Sequence, residues 1–526
     1  MAETALPPLE KLDPAEVWKP WKPDAKDPWD LKWAGHLYRR AAFGAGLVEL
    51  RQAVAQGLPA TLDRLFDGDP KADERLKFLV RTGDLIARRG EATGLRGWWL
   101  YTMLHSLYPL REKLTLFWHD HFATSITKVA KAPLMFQQNI TLREHALGKF
   151  TDFLQAMSKD PAMLLWLDSN SNVKGKPNEN YAREVMELFS LGVHSGYTEK
   201  DIREAARAFT GWQVDDDKYT FKVSLHDDGN KTVLGKTGTW NGEDVVKICL
   251  EQKACARFLV RKLYRYLVNE GQVPPESFLE PLAESFRKSG YDIKALVRTM
   301  VSSRHFYSAY AYRQKIKSPT EYVLGSVWAL TDRNIPQGAL INQLEAMGQA
   351  LFAPPNVKGW PGGTTWLNTS TILARHNFAH AVAAGKLRDT NRYSRLSPRE
   401  EAIERERELI EERRRQEEEA RRAEEEARLK AEGKPIPPRP TPKSTPLPPP
   451  PANMDVAGLV RHDKATTPEA IVRVLVDLLL QGGVTDAARA KLVAFVKEGS
   501  PKGSELDRRV RETAHMIMTM PEYQMC

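Results

Sequence analysis

The stretch Pro177–Leu188 reads Pro-Asn-Glu-Asn-Tyr-Ala-Arg-Glu-Val-Met-Glu-Leu and predicts an amphipathic helix. One stripe of this helix is polar and contains Asn180, Arg183, Glu184 and Glu187. The opposite stripe is apolar and contains Tyr181, Val185, Leu188 and Phe189. We therefore expect a helix that buries one face in a core and presents charged groups on the other.

The helical spacing of apolar residues recurs from about residue 33 to about residue 393, for example at Leu100, Met103, Leu104 and Leu107. One segment, Tyr219–His226, instead alternates apolar and polar residues, and a turn at Asp227–Asn230 separates it from Thr232–Leu234. This pattern predicts one small β-hairpin. The predicted fold class is mostly α, with a large irregular multi-helix body and a small hairpin insertion.

Composition divides the chain into four predicted segments. Residues 1–32 are rich in tryptophan and proline and form an extended N-terminal arm, and residues 33–396 form the main α-helical body. Residues 397–452 combine blocks of glutamate and arginine with a run of prolines, which predicts a charged helix and a polyproline linker. Residues 453–526 return to helical periodicity, with Thr467 capping a helix that has Pro468 in its first turn, and are expected to dock on the body.

Charge and cysteine content narrow the class of protein. The net charge of +9 comes from acids and bases mixed along the chain, without a basic stripe that carries interleaved aromatics, so a nucleic-acid partner is not expected. The three cysteines form no C-x-x-C pair, which argues against a disulfide framework and a cysteine zinc site. No signal-peptide pattern opens the chain, and no apolar run approaches the ~20 residues of a membrane span. We expect a cytoplasmic protein.

Two histidines lie among large aromatic residues in Phe117–Phe122, which reads Phe-Trp-His-Asp-His-Phe. If a helix from Pro109 continues through this run, His119 and His121 project in different directions and cannot bind one metal ion together. If the helix ends near Trp118 and the chain extends, both imidazoles lie on one side, as metal ligands on a strand often do. The alternative role for either histidine is a buried side chain that bonds to backbone or carboxylate.

The carboxylates of the 177–188 stretch supply the other candidate chemistry. Glu184 and Glu187, with His119 and Arg183, are the catalytic candidates, whereas Glu179 joins His119 and His121 as a candidate ligand of a divalent metal ion. His226 and Asp227 could add ligands to the same metal site. The alternatives are an Arg183–Glu187 ion pair, a carboxylate favoured by the helix dipole, and a turn at His226–Gly229 that needs these residues for its backbone.

A loop rich in proline and glycine, Phe352–Gly363, precedes a helix that Asn368, Thr369 or Ser370 could cap. Its Lys358 and Trp360, together with Asn178 and Asn180, are the candidate substrate-binding residues. The alternative is that this loop serves only in tertiary docking. The chain has no G-x-S-x-G, H-E-x-x-H, phosphate-loop or dinucleotide-binding motif.

Several of these runs together resemble the signatures of the bacterial domain-of-unknown-function family 1800. The runs, in the order of the family, are His36–Gly44, Phe117–Phe122, Pro177–Leu188 followed by Gly192, Tyr197–Glu199, Ala205–Trp212 and Pro354–Trp360. The family has no established activity. Its polar motifs correspond here to His119, His121, Asn178, Glu179, Asn180, Arg183, Glu184, Glu187, His226, Asp227 and Lys358, and Phe189 stands where relatives often carry histidine. The resemblance also implies a phosphatase-like or sulfatase-like partner protein.

Two functions fit this sequence. The first is a metal-assisted enzyme in which a pocket of histidine and glutamate acts on a polymeric or anionic substrate. The second is a non-catalytic scaffold whose polar motifs form a buried structural network and whose proline-rich segment recruits other proteins.

Overall fold

The computed structural model describes residues 6–331, 333, 335–387 and 456–526. Over these residues the protein is mostly α-helical, as the sequence predicts, and carries two small antiparallel hairpins. The charged helix and polyproline linker predicted for residues 397–452 lie outside the described residues. None of the described helices is both long and apolar enough to cross a membrane.

The α-helices of the first half of the described chain are α1 (Pro14–Val17), α2 (Leu31–Ala41), α3 (Leu47–Gln56), α4 (Leu58–Asp67), α5 (Ala72–Ala87), α6 (Ala92–His105), α7 (Pro109–His121), α8 (Ile126–Val129), α9 (Ala132–His145), α10 (Phe150–Ser158), α11 (Pro161–Trp166), α12 (Asn180–Glu184) and α13 (Glu199–Ala208). A π-helix, Val185–Ser190, continues α12. Short 3-10 helices occupy Leu9–Lys11 and Ser169–Ser171.

The α-helices of the second half are α14 (Gly242–Glu251), α15 (Lys253–Leu267), α16 (Glu276–Lys288), α17 (Ile293–Ser302), α18 (Pro319–Leu330), α19 (Gln337–Ala346), α20 (Thr369–Ala383), α21 (Val456–His462), α22 (Pro468–Leu480), α23 (Asp486–Lys497), α24 (Gly503–Thr519) and α25 (Pro521–Gln524). Short 3-10 helices occupy Val223–Leu225 and Gly363–Trp366. Two predicted caps are present, because Thr467 Oγ1 accepts a hydrogen bond from Ala470 N at 3.2 Å and Asn368 Oδ1 accepts one from Thr371 N at 3.0 Å.

The predicted single hairpin is replaced by two. Strand β1 (Trp212–Asp215) pairs with β2 (Lys218–Phe221), and β3 (Lys231–Val233) pairs with β4 (Lys236–Gly238). The alternating segment therefore pairs with residues before it in the chain, and the predicted pairing across Asp227–Asn230 is wrong. Local alternation identifies a strand but does not identify its partner, because the partner also depends on turn geometry and on which face is buried.

The N-terminal segment lies against the middle of the chain through its tryptophans. The Trp18 indole donates a hydrogen bond to Phe278 O at 3.0 Å, and Trp21 stacks on Tyr307 with ring centroids 4.4 Å apart. The segment also contains α1 and the 3-10 helix Leu9–Lys11, so it is not extended throughout.

The C-terminal helices pack on earlier ones. Helix α24 packs against α20, and an isolated bridge joins Met525 to Ile316. Val472 and Ile517 belong to the same buried apolar cluster as Tyr322. The apolar faces of α22 and α24 are thus covered partly by each other and by α23, and partly by residues more than a hundred positions earlier in the sequence.

A buried ion pair joins α7 to α9. Arg143 Nε and Nη2 lie 2.6 Å and 3.0 Å from the two carboxylate oxygens of Glu112, and the side chains are 2% and 0% exposed. The Arg143 guanidinium also lies 5.3 Å from the Trp98 ring centroid. Removal of either charge leaves the other buried without a counter-charge.

We expect Glu112→Gln to lower the free energy of unfolding by about 3–5 kcal/mol, because Arg143 keeps its charge in an apolar interior. Urea denaturation measures this loss. Glu284→Gln is the matched control, since Glu284 pairs with Lys288 at 2.8 Å on the surface, and it should cost less than about 1 kcal/mol. Similar losses in the two variants would contradict the prediction.

Candidate functional site

The polar stripe of the 177–188 stretch lies where an α-helix changes into a π-helix. The backbone N–H of Leu191 donates to Met186 O at 2.9 Å, five residues back, and Ser190 Oγ donates to Val185 O at 2.5 Å. The apolar stripe is buried at Tyr181, Val185 and Phe189, while Arg183, Glu184 and Glu187 are half-buried. The predicted amphipathic helix is present, and its π-turn is a feature that occurs frequently at functional sites.

Arg183 is bound by three carboxylates. Its guanidinium lies 3.0 Å from Glu179, 3.4 Å from Glu187 and 2.8 Å from Glu199. The hydrogen bond to Glu199 is the largest cause of a raised Arg183 pKa. The Arg183–Glu187 pair was one of the alternatives drawn from the sequence. Because Arg183 is already saturated with acceptors, it holds Glu187 in place more readily than it binds a further anion.

Glu184 differs from the acids around Arg183 because, among the described residues, none donates a hydrogen bond to its carboxylate. Burial, and then the negative charge of Glu187, raise the pKa of Glu184 to about 7, whereas Arg183 and Lys358 act in the opposite direction. Glu187 also makes a hydrogen bond with the Tyr197 hydroxyl. The two neighbouring carboxylates therefore have different surroundings: Glu187 has hydrogen-bond partners, and Glu184 has none among the described residues.

Helix α7 continues through His121, so His119 and His121 project in different directions. His119 lies among aromatic rings, with its centroid 5.1 Å from Trp99 and 5.8 Å from Trp360. Burial lowers the pKa of His119 to about 3, so the imidazole is neutral at physiological pH, and its Nε2 has no hydrogen-bond partner among the described residues. The extended geometry in which both imidazoles share one side is not formed.

His121 Nε2 lies 3.2 Å from the carbonyl oxygen of Phe189 and joins α7 to the π-helix. Burial is the main cause of a His121 pKa well below its ordinary value, and the positive charge of Lys262 adds to it. This neutral, backbone-bound imidazole matches the structural alternative drawn from the sequence.

Asp120 anchors the proline- and glycine-rich loop. Its Oδ1 accepts a hydrogen bond from the Trp360 N–H at 2.6 Å. Burial raises the pKa of Asp120 to about 6, with the Trp360 bond and then Lys262 opposing it, and burial lowers the pKa of Lys262 to about 8. Trp360 is buried, whereas Lys358 is exposed. Of the two candidate substrate-binding residues in the loop, Trp360 therefore lies in the interior.

The remaining sequence candidates have local partners. Asn178 Oδ1 accepts from Asn180 N at 3.0 Å, and Asn178 Nδ2 donates to Ser171 Oγ at 2.6 Å, so this residue closes the turn before α12. Asp227 binds Arg207 at 2.8 Å and 3.1 Å, and chiefly for this reason its pKa is lowered to about 2. His226 Nδ1 lies 2.9 Å from Thr210 O.

The five candidate metal ligands do not come together in this arrangement. Across the described part of the chain, no three or more His, Cys, Asp or Glu side chains are grouped so that they could hold a metal ion. The predicted ligands are His119, His121, Glu179, His226 and Asp227. All but His119 contact the protein partners described above.

Sequence reasoning did not single out four residues of this region. Asp120 lies inside the aromatic motif Phe117–Phe122, and Tyr197 and Glu199 lie inside a family signature. Membership of these motifs could have identified the three residues as candidates. Lys262 lies within an ordinary amphipathic helix, and no sequence motif marks it as a candidate.

A family model described as "Protein of unknown function (DUF1800)" matches residues 36–525. No curated protein and no solved structure matches the chain significantly. The match spans most of the chain and includes the π-helix, the end of α7 and the loop that carries Lys358.

We expect Gly359→Ala to displace the Lys358 loop, because Gly359 has φ +80° and an added Cβ would lie 2.6 Å from the backbone oxygen of Asp120. Gly363→Ala is the control: φ is +57°, nothing lies within 4 Å, and left-handed strain alone costs about 1–2 kcal/mol. Gly359→Ala should cost about 1–3 kcal/mol more in urea unfolding because of the clash. Equal costs would mean that the Asp120 contact does not constrain the loop.

Proposed function

The chain belongs to the DUF1800 family, and we propose that it is an acid–base enzyme in which Glu184 transfers a proton to or from a polymeric or anionic substrate. The observation that supports this proposal is the raised pKa of the Glu184 carboxyl, about 7, in a half-buried position without a hydrogen-bond partner among the described residues. A general acid or base is most effective when its pKa lies near the working pH. Strongly shifted groups are over-represented at functional sites.

The two glutamates have different proposed roles. Glu187, held by Arg183 and Tyr197, supplies a fixed negative charge that raises the pKa of its neighbour. Glu184 is the group that gains and loses the proton. Pairs of carboxyls whose surroundings separate their pKa values commonly divide catalytic work in this way. Arg183 is a positioning residue in this scheme.

Exposed cations that act on Glu184 and on Asp120 favour an anionic substrate. Lys358 is exposed and acts electrostatically on Glu184, and Arg265 is exposed next to the Asp120 contact. Cations near a proton-transferring carboxyl attract negatively charged substrates and orient them. Asn180, which is also exposed, is the remaining sequence candidate for substrate contact.

No step is assigned to a metal ion, because the described residues do not bring the candidate ligands together. His119 is likewise given no proton-transfer role, since it is enclosed by aromatic rings and neutral at physiological pH. Its proposed role is to position the end of α7 against the loop at Trp360.

The second candidate is the non-catalytic scaffold. It is favoured by the saturation of Arg183 and by the backbone contact of His121, both of which are typical of a structural network. A phosphatase-like or sulfatase-like partner and a cytoplasmic location remain predictions under either function. The two functions differ in what they require of the charge on Glu184.

We expect Glu184→Gln to raise the melting temperature at pH 8 and to leave it nearly unchanged near pH 4. The folded-state pKa of Glu184, about 7, lies above its ordinary value of 4.5, so its contribution to stability is present below pH 4.5 and is lost as the pH rises through about 7. Glutamine removes this penalty. A scaffold network would instead be destabilised at both pH values, and that result in thermal melts would reject the enzyme proposal.

We expect wild-type protein to turn over at least one member of a panel of phosphate, sulfate, glycoside and peptide model substrates. Its rate should follow an apparent pKa of about 7, and Glu184→Gln should lower the rate by at least about 100-fold. Glu144→Gln, at an exposed carboxylate on α9, is the control and should retain the wild-type rate. Activity that survives Glu184→Gln would assign the reaction to another residue.

A further inference from the structure

A cavity lies between α2, α18, α22 and the C-terminal residues. About 30 Å³ of it is open to the centres of water-sized molecules. This is roughly twice the ~15 Å³ that one water needs, so the cavity has room for a small polyatomic ion and not for a nucleotide. The polar residues of its lining are Arg39, Lys317, Glu321, Gln481, Tyr523 and Cys526.

One carboxylate lines the cavity, and it is more than neutralised by its own partners. Glu321 lies 2.5 Å from Lys113 Nζ and 2.5 Å from Lys315 Nζ. Burial opposes the charge on Glu321, yet these two lysines hold its pKa well below the ordinary value. The triad of two lysines and one glutamate therefore carries a net positive charge, although all three side chains are almost completely buried.

Arg39 and Lys317 add two further basic side chains, and among the described residues neither forms an ion pair with a carboxylate. Arg39 Nη2 is buried without a hydrogen-bond partner. Lys317 is 5% exposed, and its ammonium lies 3.6 Å from the Tyr523 ring centroid. Burial and then the charge of Arg39 lower the pKa of Lys317 well below its ordinary value, while Cys526 opposes them. Burial also lowers the pKa of Arg39 to about 10.

The negative charge of Cys526 offsets this positive charge only in part, and an interior charge of this kind costs several kcal/mol unless a further anion joins it. Arg375 and Arg313 add to the positive field at Lys317, and each of these arginines donates to backbone carbonyls, Lys317 O at 2.7 Å and Leu480 O at 3.3 Å. The cavity is therefore a small opening surrounded by basic side chains, with one buried donor, Arg39 Nη2, that lacks an acceptor.

We propose that this cavity binds a single phosphate-class oxyanion, held by Arg39 and Lys317. Arg39 Nη2 and Lys317 Nζ donate to two of the oxyanion oxygens, as charge-assisted hydrogen bonds. Gln481 Oε1 is buried in the same lining and has no donor. Monohydrogen phosphate carries one O–H group that Gln481 or Glu321 accepts, whereas sulfate has none at neutral pH. The site accordingly prefers phosphate to sulfate.

The bound ion would join three separated parts of the chain. Arg39 belongs to α2, Lys317 precedes α18, and Gln481 follows α22. Tyr523, which lies under the Lys317 ammonium, belongs to α25. Phosphate would therefore strengthen the docking of the C-terminal helices on the body. This inference does not depend on the role of Glu184.

The test is thermal melting of the full chain in inorganic phosphate at constant ionic strength, with chloride as the balancing salt. We expect about 10 mM phosphate to raise the melting temperature by at least about 2 °C, with a smaller rise in sulfate, because a ligand that binds only the folded state stabilises it. Equilibrium dialysis of inorganic phosphate against wild-type protein should give about one ion per chain. Absence of both effects overturns the proposal.

Lys317→Met is the decisive variant. Without phosphate it should melt at or above the wild-type temperature, since it removes a buried charge that lacks a carboxylate, and phosphate should no longer raise that temperature. Lys386→Met, at an exposed lysine, is the control and should keep the full phosphate effect. A phosphate effect that persists in Lys317→Met overturns the assignment. If this variant fails to fold, Arg39→Met with the dialysis measurement decides the same question.

Free phosphate and a phosphoryl group on a larger molecule share this chemistry. Competition by phenyl phosphate in the dialysis experiment separates them. Displacement of bound phosphate means that the cavity admits a phosphoryl group from outside, and lack of displacement means that it takes the free ion. Both results support an oxyanion site, and they distinguish a phosphoryl group of a larger molecule from the free phosphate ion as its ligand.

Discussion

Helix α7 is buried along almost its whole length although it carries charged side chains, and its position depends on the partners that those side chains find elsewhere. These contacts are Glu112–Arg143, Lys113–Glu321, Asp120–Trp360 and His121–Phe189. A buried charge without a partner costs several kcal/mol, so a rotation or a one-turn shift of α7 would break several contacts at once. These contacts therefore fix the neighbouring helices and the loop that carries Lys358 relative to the axis of α7.

The sequence predicts the parts of this structure that depend on local patterns. Helical periodicity, the caps at Asn368 and Thr467 and the amphipathic 177–188 stretch all follow from residues a few positions apart. The π-turn is not predictable from that pattern, because one inserted residue changes the hydrogen bonding without removing the apolar stripe. The strand pairing of β1 with β2 was also missed, since alternation does not specify a partner.

Prediction of the site was limited by contacts between distant residues. Arg183 could be paired with Glu187 four positions away, but its shortest contact is with Glu199, sixteen positions away. The candidate metal ligands were grouped by residue type, and each sequence motif was plausible alone. Only the fold shows that Asp227 binds Arg207 and that His119 is enclosed by aromatic rings. Residue type thus identified polar motifs, while the path of the chain determined which of them meet.

Many buried or half-buried charges among the described residues have partners, and that makes the exceptions informative. Glu184 lacks a hydrogen-bond donor among the described residues, and Lys317 lacks a carboxylate there, so each destabilises the fold in its charged form. A fold that satisfies Glu112 and Glu321 so completely could also satisfy these two groups, or replace them with apolar residues at a gain in stability. Departures of this kind are expected where function requires them. Such uncompensated groups, Arg39 among them, are therefore better guides to function than the larger number of well-satisfied polar residues.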